Sequence, residues 1–138
     1  MPLLLLRHAS AGDRETWSGD DRKRPLDERG RRQSDGLIDL LERYAIDAIF
    51  TSPYVRCVET VAPLARARAL PVEQREELGV ELQSSAGAEL VQALRERNVV
   101  VCGHGGLEAV LENAPKWKKG AVFVVSPELR VRSVLRVC

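Results

Sequence analysis

Short apolar runs alternate along the chain with longer stretches whose apolar residues recur at helical spacing. Leu3–Leu6 is one such run, closed by charged Arg7, and reads as a strand. Ala9 to Arg24 is a long polar loop. Asp27 to Tyr44 sets Leu37, Ile38, Leu40, Leu41 and Tyr44 at helical spacing, with Asp27 as the N-cap. Ala48–Phe50 is a second strand. Ser52-Pro53 then reads as an N-cap and first helical residue, opening a helix through Val55, Val58, Val61, Leu64 and Ala65. Pro63 inside it should kink or shorten it. A short edge strand or turn begins at Val72, and Ala86–Arg97 is helical with Leu90, Val91 and Leu94 on one face. The β-branched run Asn98–Cys102 is a buried strand. The tight turn Gly103–Gly106 leads into a helix through Leu107, Val110 and Leu111. Ala121–Val125 and Leu129–Val137, turning at Ser126–Glu128, predict an antiparallel hairpin.

Such alternation predicts a three-layer α/β/α sandwich, its sheet mainly parallel with a C-terminal antiparallel strand. The 138 residues are enough for one domain and too few for two, so 1–138 is expected to be a single domain. The net charge is +1, from 21 basic and 20 acidic side chains. That lacks the basic excess of a nucleic-acid binder, so any taste for anions must be local. Leu3–Leu6 is far too short to span a membrane and has no basic leader, so a cytoplasmic location is expected. Cys57, Cys102 and Cys138 show no CxxC spacing and are expected to be reduced thiols, the first two buried. With only two histidines in the chain, neither a metal site nor a cofactor is expected.

In parallel sheets ligands sit beyond the carboxyl ends of the strands. Three strand ends here carry chemistry: Arg7-His8, then Thr51-Ser52 with Arg56 a turn later, then Gly103-His104-Gly105. They lie roughly fifty residues apart and can converge on one pocket.

Leu-Leu-Arg7-His8-Ala9, the segment Thr51-Ser52-Pro53-Tyr54-Val55-Arg56, and Val-Cys-Gly103-His104-Gly105-Gly106 together resemble the histidine phosphatase superfamily, also called phosphoglycerate-mutase-like. Arg24-Pro25-Leu26-Asp27-Glu28-Arg29-Gly30-Arg31-Arg32-Gln33 resembles the family's opening of its first helix. The nearest look is to small bacterial phosphohistidine phosphatases, and Gly19 to Asp27 is also similar to phosphatase-like domains fused to Nudix hydrolases. The resemblance implies that His8 is a nucleophile that becomes phosphorylated, that Arg7 and Arg56 bind phosphate oxygens, and that His104 donates to the transferring group. Ser10, Ser52 and Gly105 are added as substrate-binding candidates.

The residue types suit phosphoryl transfer, which is mostly positioning and charge stabilisation. A nucleophilic imidazole must be neutral, and two arginines nearby favour that form. Each guanidinium can fork two phosphate oxygens. The glycines allow close backbone approach, and the helix expected after Gly106 would aim its positive end at the site. Two departures stand out. Ala9 replaces the family's usual glycine, at little cost unless positive φ is needed. The family's general-acid carboxylate has no clear counterpart: Val80 falls near its position, with Glu81 beside it and Glu77 before it.

An alkoxide leaving group needs a proton donor, whereas imidazole or phosphate leaves readily. About forty residues separate Cys57 from Val99, too few for a capping subdomain. The expected function is therefore a phosphatase for phosphohistidine on a protein. A hydrolase of small phosphoesters or nucleotide phosphoanhydrides and a catalytically silent phosphate-binding module are the alternatives. The expected partner is a phosphorylated protein or small phosphorylated metabolite, not nucleic acid or membrane. Arg14, Arg22, Lys23 and Arg24 are candidates for a basic rim. Lys116, Lys118 and Lys119 are expected to be solvated, and Trp17 and Trp117 partly exposed.

Overall fold

The computed structural model describes residues 2–137; Cys138, expected to be a reduced thiol, lies outside them. Six strands form one sheet: β1 (Leu3–Arg7), β2 (Ala48–Thr51), β3 (Val72–Gln74), β4 (Val99–Gly103), β5 (Val122–Val125) and β6 (Val131–Leu135). Their order is β3-β2-β4-β1-β5-β6. The first four run parallel, and β5 pairs antiparallel with both β1 and β6. This is the expected phosphoglycerate-mutase-like α/β arrangement, with a sheet that is mainly parallel and antiparallel at its C-terminal edge.

The apolar run of β1 is continuous because the strand is central and covered on both faces. Leu3, Leu4, Leu5 and Leu6 are all fully buried, each contributing ~2 kcal/mol. Alternation divides them. Leu4 and Leu6 join Ile49, Val100, Cys102 and Val122 under Leu37, Val61 and Leu64 of helices α1 (Glu28–Leu40) and α2 (Val55–Arg68). Leu3 and Leu5 join Phe50, Val99, Val101 and Phe123 against Val91 and Leu94 of α3 (Ala88–Leu94), with Leu78, Leu107 and Trp117. The second face is thus covered by one seven-residue helix and irregular chain.

Several element boundaries differ from the sequence expectation. Asp27 caps α1 as expected, accepting from Gly30 N at 2.8 Å, but the helix stops at Leu40 and the chain turns on to Tyr44. Helix α2 begins at Val55 behind Tyr54; the Ser52 hydroxyl oxygen accepts from Tyr54 N at 3.2 Å and also meets a histidine. Pro63 does not end α2. The carbonyl that proline leaves unpaired, that of Glu59, accepts from the Ser34 hydroxyl at 3.0 Å, and the helix runs on to Arg68. The helix expected after Gly106 is only a 3-10 turn, Leu107–Val110. Buried Cys57 and Cys102 are free thiols. No helix among the described residues is long and apolar enough to cross a membrane.

Candidate active site

Strand register brings the three loaded ends together. Arg7 is opposite Gly103, and Thr51 is opposite Cys102. The pairing continues one residue past the strands, with His8 N donating to Gly103 O at 3.1 Å and Ser52 N to Cys102 O at 3.0 Å. His8 and His104 therefore stand side by side, ring centroids 5.5 Å apart. A cavity of about 760 Å³ opens there, lined by Arg7, His8, Arg56, His104 and Gly105, by Arg14, Arg24 and Lys119, and by Asp13, Glu15 and Val80.

His8 is 5% exposed. Its Nδ1 lies 2.8 Å from Ala9 O and donates to it, which fixes the tautomer and leaves Nε2 with a free lone pair. Its pKa is lowered from 6.5 to about 3. Burial is the main cause; the hydrogen bond to Ala9 opposes it, and the charges of His104, Arg56 and Arg7 lower it further. Desolvation, more than the two arginines, thus keeps the ring neutral. Because the unfolded chain binds this proton near 6.5 and the folded chain only near 3, stability falls as pH drops between those values. Urea unfolding at about pH 7 and about pH 4.5 should show a stability loss in the native chain that is smaller by ~2 kcal/mol in His8→Asn. An equal loss in both proteins would refute the depressed pKa.

The surrounding donors are held at one end and free at the other. Arg7 Nη1 donates to Trp117 O at 2.6 Å, and Arg56 Nη2 pairs with Asp21 Oδ2 at 3.2 Å. Ser52 Oγ lies 2.8 Å from His104 Nε2. Yet Arg7 Nε, Arg56 Nε and His104 Nδ1 are buried without a partner. Buried polar groups left unpaired are costly, each on the order of 1–3 kcal/mol, unless a ligand satisfies them. Gly105 permits this packing: a Cβ there would lie 3.1 Å from the Arg7 guanidinium carbon. Ala9 is tolerated because its φ is not positive; its methyl is buried with Ala11 and Leu26.

The other candidates are distributed differently. Ser10 spends its hydroxyl on Asp27 Oδ2 at 2.8 Å. Glu77 is paired with Arg75 at 2.7 Å and does not reach the cavity. Glu81 is exposed and accepts from Tyr54 OH at 2.9 Å; Val80, not Glu81, lines the cavity wall. Of the expected rim, Arg14 and Arg24 line the cavity, whereas Arg22 lies over the Tyr54 ring and pairs with Glu76. Asp21, which ties Arg24 and Arg56 together, was not singled out by the sequence, nor were Asp13 and Glu15. The pairing of Asp20-Asp21 within a basic loop was the available hint for the first. Trp117 is buried, contrary to expectation, and Lys119 reaches the cavity.

This chain belongs to the histidine phosphatase superfamily (branch 1), whose model matches residues 3–79. The 8-oxo-(d)GTP phosphatase of Mycolicibacterium smegmatis (strain ATCC 700084 / mc(2)155) is 34% identical over 108 residues, covering 75% of this chain and 34% of that protein. The chain thus spans about a third of the length of the curated relative it matches. The fold is shared with the protein histidine phosphatase SixA solved with tungstate, at TM-score 0.82 and 22% identity over 100% of this chain and 98% of that one. A chain from Agrobacterium tumefaciens, provisionally named phosphohistidine phosphatase SixA, matches at TM-score 0.80 and 25% identity over 97% and 96%.

Proposed function

We propose that the chain is a phosphatase working through a phosphohistidine on His8, and that its substrate is a nucleotide phosphoanhydride. The observation that carries this is a neutral His8 beside three buried, unpartnered nitrogens, Arg7 Nε, Arg56 Nε and His104 Nδ1. A phosphoryl group in transfer, its negative charge spread over three equatorial oxygens, is the natural complement of such a set. His8 Nε2 attacks phosphorus, the bond from phosphorus to the leaving oxygen breaks, and that oxygen departs with the electron pair. Water then attacks the phosphohistidine, the N–P bond breaks, and phosphate leaves.

The leaving group decides the substrate class. Val80 lies on the wall where a carboxylic acid would serve, and Glu81 is held by Tyr54. A phosphate leaving group needs no strong acid. The cations Arg14, Arg24 and Lys119 in the cavity suit a polyanionic substrate, and the 34%-identical relative is named for a nucleotide. A phosphohistidine protein is the second reading. Imidazole also leaves readily, and no capping subdomain lies between α2 and β4. Turnover of a nucleoside diphosphate, a phosphohistidine protein and a sugar phosphate separates these. Fastest hydrolysis of the diphosphate is expected; fastest hydrolysis of the sugar phosphate would sink both readings.

A further inference from the structure

Next to the catalytic cavity lies a second hollow of about 350 Å³. Its walls carry five cations, Arg7, Arg29, Lys116, Lys118 and Lys119, with Ser10 and Gln33. None of the five forms an ion pair with a carboxylate among the described residues. The carboxylate of Asp27 acts on Lys119, but its oxygens are engaged by Ser10 Oγ and by the amides of Gly12 and Gly30. Like charges gathered in this way repel one another, and a bound polyanion relieves the repulsion.

The lysines are carried on a loop that is fastened down. Trp117 is 2% exposed, stacks on Phe123, and donates from Nε1 to Ala121 O at 3.1 Å. Its carbonyl accepts from Arg7 Nη1. Gly120 N donates to the carbonyls of both Arg7 and His8, at 3.1 and 3.0 Å. The loop bearing Lys116, Lys118 and Lys119 is thus pinned to the strand end that carries the nucleophile.

We propose that this hollow binds the second phosphate of a phosphoanhydride substrate, the one joined by a bridging oxygen to the phosphoryl group at His8. The proposal rests on the reading of the main cavity as a phosphoryl site. Arg7 and Lys119 line both hollows, so an occupant of one touches the wall of the other. A group one bridging atom away from the transferring phosphorus meets that condition. An acidic protein surface would meet exposed Lys116 and Lys118 from outside but not the half-buried Arg7 at the junction.

Calorimetry on the His8→Ala protein, which cannot turn over, tests this with inorganic phosphate and inorganic pyrophosphate at ionic strength about 0.15 M, where distant charges are screened. Pyrophosphate is expected to bind about a hundred-fold more tightly than phosphate. Adding Lys116→Ser and Lys118→Ser should weaken pyrophosphate at least about ten-fold and phosphate by less than about two-fold. Unchanged pyrophosphate affinity, or equal weakening of both anions, would overturn the second subsite while leaving the main cavity standing. Failure of both anions to bind the His8→Ala protein would overturn the phosphoryl reading as well. A rise in KM for a phosphohistidine protein alone, in the doubly substituted chain with His8 intact, would assign the lysines to a protein partner and reject the subsite.

Discussion

His8→Ala is expected to lower turnover by roughly four orders of magnitude or more, since an activated nucleophile and its partners act as a unit. The loss should fall on kcat, with substrate still bound by Arg7, Arg56 and His104. The fold should survive. His8 borders the open cavity, and the one hydrogen bond of its side chain is to the adjacent Ala9 carbonyl, so the truncation leaves no sealed void and strands no distant partner. Single-turnover labelling with a β-labelled nucleoside diphosphate should place acid-labile, base-stable phosphate on the native chain and none on the variant. Label on both, or turnover within about ten-fold of the native rate, would end the covalent-histidine proposal.

Gly30→Ala should produce the largest loss of stability from a single methyl group. A Cβ at position 30 would lie 1.9 Å from the Ser10 carbonyl oxygen. No rotamer relieves that clash, because the obstacle is backbone. The same carbonyl accepts from Asp27 N at 3.1 Å, and Asp27 caps α1 while holding Ser10 and Gly12. The first turn of α1 must therefore move away from the loop behind His8. A cost of ~3 kcal/mol is expected, seen as a drop in Tm on the order of 10 °C. Activity should fall with it, because that loop supplies part of the cavity wall. A Tm within about 2 °C of the native value would refute the close approach.

The segment containing Gly30 illustrates how much could be read from the chain alone. Its role as the start of a helix was legible from Asp27, a short polar side chain ahead of an amphipathic stretch. That the helix starts against the backbone of Ser10 was not, because nothing local records a contact across twenty residues. Pro63 makes the same point. Proline within helical spacing signals a break, and the break is averted by Ser34, a residue of a different helix. Local pattern reads Ser52 as a cap, and its oxygen does accept from Tyr54 N, but the same hydroxyl also meets His104, which strand pairing delivers from β4.

The sequence by itself determined most of the elements, the Leu3–Leu6 strand among them, and the family to which Arg7, His8, Arg56 and His104 point. These are legible because periodicity, β-branched runs and strand-end motifs are local patterns. Tertiary structure decided the rest. It buried His8 deeply enough to keep it neutral and left one nitrogen on each of Arg7, Arg56 and His104 unpaired. It turned Glu81 toward Tyr54 and put Val80 on the wall, and it buried Trp117 so that its neighbouring lysines crowd a second hollow. Each of these depends on desolvation or on pairing between residues far apart in the chain, and such pairings come into being only when the strands align.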